Sequence, residues 1–248
     1  MSGKRILAGF HAVGARLRHA PASIEAIYVD ARRRDGRMAQ LQQRAAELKV
    51  KVIAADPERL RGMAGEAPHQ GVVAVAEQLD QVLSFEDVLN DVRADTLLLL
   101  LDGVTDPRNL GACLRVADAA GVQAVVVPRD RSAGLTPAAL KAAAGAAEAV
   151  PLIDVTNLAR AMDDLRDAGV RLIGAAGEAD DSLFDLDLTG PLAWVLGAEG
   201  AGLRRLTRER CDALARIPII GHVESLNVSV ATGICLYEAV RQRLASAG

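Results

Sequence analysis

Ile217-Pro-Ile-Ile-Gly-His-Val-Glu-Ser-Leu-Asn-Val-Ser-Val-Ala-Thr-Gly-Ile-Cys-Leu-Tyr-Glu238 holds the end of one element and the start of another. Ile217-Pro218 stops a strand abruptly, because proline donates no ladder hydrogen bond. Gly221 permits a tight return. Ser225 reads as a helix N-cap, and Asn227 as a second acceptor for the first exposed backbone N–H groups. The helix that follows has an apolar face predicted at Val230, Ile234, Tyr237 and Val240. Capping alone is ordinary. A glycine return, a polar triplet and a long amphipathic helix directly after an apolar strand are an unusual combination.

Upstream of this stretch the chain alternates strands and helices. Strands are predicted at 96–101, 124–127, 150–153, 171–175, 192–196 and 214–217, and helices at 109–120, 136–144, 156–168, 203–211 and 228–245. Continuous apolar strands separated by helices specify a parallel sheet covered on both faces. Ligands bind such sheets at the carboxyl ends of strands, so the loops after 96–101, 171–175, 192–196 and 214–217 are the informative ones.

The first of these, Asp102-Gly-Val-Thr-Asp-Pro-Arg-Asn-Leu-Gly-Ala-Cys-Leu-Arg115, turns into a helix with Asn109 near its N-cap. A plain cap and a surface arginine at 115 would also fit. Ala176-Gly-Glu178 follows the strand 171–175. Gly197-Ala-Glu-Gly-Ala-Gly202 follows 192–196. Its glycines have the wrong spacing for a dinucleotide fingerprint and come too late in the chain. Glu199 would repel a pyrophosphate. A nicotinamide-dependent enzyme is therefore disfavoured.

Residues 1–77 read as a small α/β unit, with helices at 10–18, 37–48 and 57–63 and strands at 24–29, 50–54 and 72–76. Residues 78–94 are more polar and hold a capped helix start at Ser84; the hinge is placed there, and 95–248 form the second domain. The charge is uneven. Residues 1–61 carry thirteen Lys/Arg and six Asp/Glu, a balance of +7, whereas the remainder carries −10, giving −3 for all 248 residues. A basic first part on an acidic remainder fits an anionic partner or a solvated charged surface.

Half the residues are hydrophobic and 2% are aromatic, so the core is aliphatic. The run Leu97–Leu101 falls far short of the roughly 20 residues of a membrane span, and the N-terminus does not read as a secretory signal. Three widely spaced cysteines, Cys113, Cys211 and Cys235, argue against disulfides and zinc and for a reducing cytoplasm.

Three segments resemble the three motifs of the SpoU/TrmH (SPOUT) RNA ribose 2'-O-methyltransferases: Asn109–Arg115, Leu196–Gly202 and Ile217–Glu238. They stand in that family's order and spacing, and none of their motif residues departs from its pattern. Gly9-Phe-His-Ala-Val and His69-Gln-Gly-Val resemble the small ribosomal-protein L30e-like RNA-binding domain of one subfamily. That layout is similar to enzymes that methylate a guanosine ribose in the peptidyl-transferase P loop of 23S ribosomal RNA.

The resemblance implies a deep trefoil knot in the C-terminal sheet, built from the last three informative loops. S-adenosylmethionine would sit bent in it, held by backbone groups at Gly177, Gly197, Ile217 and Leu226. The last helix would pack in a homodimer, with the active site assembled from both subunits. Arg115 would be the leading catalytic residue, supported by Asn109, Glu199, Ser225 and Asn227. No metal is needed for a sulfonium leaving group, and His11, His19, His69 and His222 lack ligand spacing. RNA contacts are expected at Lys4, Arg5, Arg16, Arg18 and Arg32-Arg33-Arg34, although the triple arginine also reads as a solvated turn. Another rRNA site or a transfer RNA is the nearest alternative substrate. A non-catalytic RNA-binding relative is a further one.

Overall fold

The computed structural model describes residues 4–65, 67–77, 83–198 and 200–246. They form two compact units, one of residues up to 82 together with Ala144–Ala149, the other of the rest. Residues 78–82 of the expected hinge lie outside the described residues. Leu83–Val92, placed in the hinge by sequence, packs instead into the second unit: Val88 is buried there with Leu83, Phe85, Leu89 and Val92 against it. The Ser84–Asp87 capping box that starts this short helix is present.

The first unit runs β1 (Lys4–Ala8), α1 (Phe10–His19), β2 (Ile24–Asp30), α2 (Gly36–Glu47), β3 (Val52–Ala55), α3 (Pro57–Ala64) and β4 (Val72–Glu77). Its sheet has the order β1-β4-β2-β3, antiparallel except for the β2–β3 pair. Strand β1 has no counterpart in the sequence reading: five residues headed by Lys-Arg carry too weak an alternation to be seen. Asp35 caps α2 by accepting the N–H groups of Arg37 and Met38. The spacing then buries Met38, Leu41 and Ala45 on one face.

The second unit contains α4 (Phe85–Asn90), β5 (Leu97–Asp102), α5 (Pro107–Ala120), β6 (Ala124–Pro128), α6 (Pro137–Ala143), β7 (Leu152–Val155), α7 (Leu158–Asp167), β8 (Arg171–Ala175), β9 (Leu192–Gly197), α8 (Arg205–Glu209), β10 (Ala213–Ala215) and α9 (Val228–Ser246). All its strand pairs are parallel, in the order β10-β8-β9-β5-β6-β7. Leu98 and Leu100 face the side covered by α7, where Met162 and Leu165 are buried. Helices α5 and α9 pack together, and α9 also contacts β9. The chain runs outward through β6 and β7, then returns to place β9 beside β5. That reversal creates a crevice at the carboxyl ends of the central strands.

The face of α9 differs from the sequence reading. The buried positions are Val228, Thr232, Cys235, Leu236, Glu238 and Ala239. Val230 and Tyr237, expected on its apolar face, are about half exposed. The helix is apolar on both sides, so periodicity alone cannot choose the inward one. Glu238 is tolerated inside because Arg241 and Gln242 donate to its carboxylate; the Arg241 bonds hold its pKa below the usual carboxylate value. Among the described residues no helix is long and apolar enough to cross a membrane.

Candidate active site

Three chain segments meet at the carboxyl ends of β8 and β9. Ala175–Glu178 leaves β8, Leu196–Leu203 leaves β9, and Ile217–Leu226 follows β10. Together they line a cavity of about 550 Å³. Gly177, Gly197, Ile217 and Leu226 all contribute to its wall, as does Ser225. Small residues and glycines leave backbone N–H and C=O groups accessible, while Leu203, Ile219 and Val228 supply apolar contact. A concave site of this size, lined in similar measure by polar and apolar groups, suits a nucleoside-sized ligand. Among the described residues two carboxylates line the wall, Glu224 and the Arg208-paired Glu178.

The loop after β9 is folded tightly back on its strand. A Cβ on Gly197 would lie 2.1 Å from the carbonyl carbon and oxygen of Gly202 and 2.4 Å from the Leu203 nitrogen. Only glycine permits that approach. The Gly202 N–H donates to the Ala198 carbonyl at 2.9 Å, closing the loop. Just beyond it, Arg204 donates from its backbone N–H (3.1 Å) and Nε (2.5 Å) to the carboxylate of Asp102. The Asp102 side chain is fully buried at the end of β5, in register with Gly197. Sequence reading quoted Asp102 without assigning it a role; an acid closing a run of five leucines was the available signal. Arg208 and Glu178, also unassigned before, form an ion pair on the cavity wall.

Asn109 and Asn227 are joined. The Asn227 Nδ2 donates to Asn109 Oδ1 at 3.0 Å, across 118 positions of sequence. The Asn227 Oδ1 accepts from the backbone N–H and hydroxyl of Ser229, at 2.9 and 2.6 Å. Asn227, rather than Ser225, therefore caps α9, and Ser225 is left facing the cavity. The cap of α5 is likewise shifted: Asp106 accepts the Arg108 N–H, with Pro107 at the first position. Asn109 sits inside the first turn, its side chain turned to the partner helix. One turn further on, Cys113 Sγ and Thr232 Oγ1 lie 3.4 Å apart.

Arg115 is not brought to this cavity. It is exposed on α5, and six residues of helix turn it about 120° from Asn109. Glu199 lies outside the described residues. Among the described residues, no group of three or more His, Cys, Asp or Glu side chains could hold a metal ion.

The expected RNA contacts in the first unit are divided. Arg16 is 2% exposed; it donates to Ser23 and the Glu77 carbonyl and pairs with Glu148. That burial removes it from any RNA surface. Arg5 also pairs with Glu148 and Lys4 with Glu25. Arg33 pairs with Asp35 and lies over the Phe10 ring. Arg18, Arg32 and Arg34 are exposed.

Residues 96–237 match the SpoU rRNA Methylase family. The chain belongs to that family. Residues 6–82 match the RNA 2'-O ribose methyltransferase substrate-binding domain, so the SpoU sheet here carries a separate N-terminal module. The 23S rRNA (guanosine-2'-O-)-methyltransferase RlmB of Ralstonia nicotianae is 58% identical over 98% of both chains. Among solved structures, the SpoU methyltransferase AviRb from Streptomyces viridochromogenes in complex with AdoMet superimposes with a TM-score of 0.73 at 30% identity, covering 98% of this chain and 92% of AviRb. The A. aeolicus TrmH/SpoU tRNA modifying enzyme matches at 0.56 and 29%, but over 66% of this chain and 86% of its own.

Proposed function

We propose that this SpoU enzyme transfers the methyl group of S-adenosylmethionine to the ribose 2'-hydroxyl of a guanosine in the peptidyl-transferase P loop of 23S rRNA. The observation that carries the reading is the convergence of Gly177, Gly197, Ile217 and Leu226 on one nucleoside-sized cavity, in a chain that matches RlmB relatives along almost its whole length. The N-terminal unit holds the RNA and the sheet that begins near residue 95 binds the cofactor. The tRNA-modifying relative matches only two thirds of the chain, which favours a ribosomal over a transfer RNA substrate. A deep trefoil knot belongs to this reading, at the three loops that share the cavity wall; it is an exception to the usual unthreaded connection.

S-adenosylmethionine supplies an already activated methyl, so the chain's task is positioning and charge control. Ser225 faces the methyl end, and the Asn109–Asn227 pair holds the α9 start against α5. Arginine is a poor base, since its pKa exceeds about 12. Arg115 instead holds the phosphate beside the target ribose and stabilises the developing alkoxide, while the proton leaves through phosphate or water. Because Arg115 lies away from its own chain's cavity, it serves the cavity of a second copy. Such a homodimer would cover Val230, Tyr237 and Leu244, the exposed apolar side chains of α9. The enzyme works in the cytoplasm, where its RNA is made.

The test is transfer of labelled methyl from S-adenosylmethionine to 23S rRNA, with the modified nucleotide mapped. Label on a P-loop guanosine ribose is the expected result. Label on another nucleotide, or on tRNA alone, would refute the assigned substrate.

A further inference from the structure

Two helices of the first unit border an open groove of about 600 Å³, far from the cofactor loops in sequence. Its floor is apolar: Phe10, Leu17 and Leu41 are buried. Its rims are not. Helix α1 contributes His11, Gly14 and Arg18, spaced three and four residues apart, and α2 contributes Arg37, Gln40 and Arg44 at the same spacing. Each trio is therefore one stripe of a helix. Gly14 leaves the middle of its rim low; a Cβ there would meet nothing nearer than the Arg18 guanidinium, at 3.7 Å.

Of the cations of this groove the sequence nominated Arg18; Arg37 and Arg44 come from the structure. Arg37 is pre-positioned: its guanidinium lies 4.8 Å from the Phe10 centroid and 3.0 Å from His11 Nε2. Arg18 and Arg44 are exposed and make no ion pair among the described residues. Among the described residues the one lining carboxylate is Glu47, which accepts from Gln43 at 3.0 Å. By contrast, Lys4, Arg5, Arg16 and Arg33 each have a carboxylate partner.

We propose that the α1–α2 groove, with Arg18, Arg37 and Arg44 on its rims, is the surface on which the first unit grips the phosphate backbone of its RNA. This rests on the reading of that unit as the RNA-holding part. Seven residues separate Arg37 from Arg44, about 10 Å along the helix. Cations so spaced match a chain of phosphates better than a single anion. Gln40 and Gln43 add neutral donors for phosphate or sugar oxygens. Contacts of this kind set position and register and carry little base information.

The experiment compares the full chain with R18Q/R37Q/R44Q and R32Q/R34Q, titrating a labelled 23S rRNA fragment carrying the P loop at several salt concentrations. Each lost phosphate contact lowers the slope of log affinity against log salt by about 0.7 to 0.9. The groove variant is expected to lose about two units of slope and at least 10-fold in affinity, with S-adenosylmethionine binding unchanged. The R32Q/R34Q variant should lose less than half as much. Should the Phe10–Arg37 contact prove necessary for folding, R18Q/R44Q carries the test alone, with a loss of more than one unit. Unchanged slope and affinity in these groove variants would overturn the proposal, as would displacement of the RNA by polyglutamate beyond its effect as salt, which would assign the groove to an acidic protein. The enzymatic reading fails separately, if the wild-type chain methylates no rRNA while the groove variants still lose binding.

Discussion

At the scale of single residues, the proposed site rests on one side chain that would reach a second copy and on one that is missing. Arg115 is exposed and mid-helix, a position where substitution costs little stability. Arg115→Lys keeps the charge and loses the planar fork. We expect a fall in kcat on the order of 10²-fold, comparable to removing one donor from a charge-stabilising site, with cofactor affinity intact in calorimetry; full activity would exclude a bidentate role. Gly197 is the opposite case. Gly197→Ala places a methyl group 2.1 Å from the Gly202 backbone, which cannot yield as a side-chain tip would. Loss of measurable S-adenosylmethionine binding is expected, with the sheet still folded by circular dichroism.

At the scale of elements, Asp102 and Arg204 tie the start of the β5–α5 loop to the end of the β9 loop. Arg204→Gln removes the charged half of this tie from its half-exposed side. The cofactor dissociation constant should rise about 10-fold, or ~1.4 kcal/mol, and the melting temperature should fall, because the buried Asp102 carboxylate loses its countercharge. A variant that binds cofactor like the wild type would show that the loop holds itself. In the first unit, Asp35 both caps α2 and pairs with Arg33. The Arg33 contact, then the Met38 N–H bond, lowers its pKa. A carboxylate whose native pKa is depressed contributes stability above its unfolded value and loses it as pH falls toward the native one. Asp35→Asn keeps a capping side chain but not the charge. Its urea midpoint should lie below wild type at neutral pH and approach it as pH falls from the unfolded carboxylate value of about 3.9 through the lower native one. A constant gap across that range would show that the charge is not what matters.

For the whole molecule, a composite site has an arithmetic signature. Arg115→Ala leaves a chain with a sound cavity, and Gly197→Ala leaves one with a sound arginine. Each is inactive alone. Co-refolded at equal amounts, random pairing makes half the dimers mixed, each with one intact site of two, so about one quarter of wild-type activity should return. No recovery would place Arg115 in its own chain's site.

Much of this molecule was legible in sequence, because its elements are local. Leu97–Leu101 reads as a buried strand and lies within β5, with those leucines at 1% exposure or less. The βα alternation gave every strand of the large sheet to within two or three residues. Gly177, Gly197, Ile217 and Leu226 were picked out through the motifs, and they share one cavity wall. Other features depended on partners distant in the chain, which no local pattern carries. The inward face of α9 was chosen by α5 and β9, since Val230 and Tyr237 are as apolar as the residues that are buried. Arg16 looked like a surface cation until Glu148, 132 positions away, took it inside. Asn227, already read as an acceptor for the first N–H groups of α9, became the partner of Asn109 only when two helices came side by side. Sequence by itself determined the alternation of strands and helices in the large sheet and the loop in which Gly197 is needed, because these follow from the backbone and its nearest neighbours. Tertiary structure alone decided which charges remain available to RNA and which residues meet at the site, because burial and pairing are properties of the packed chain.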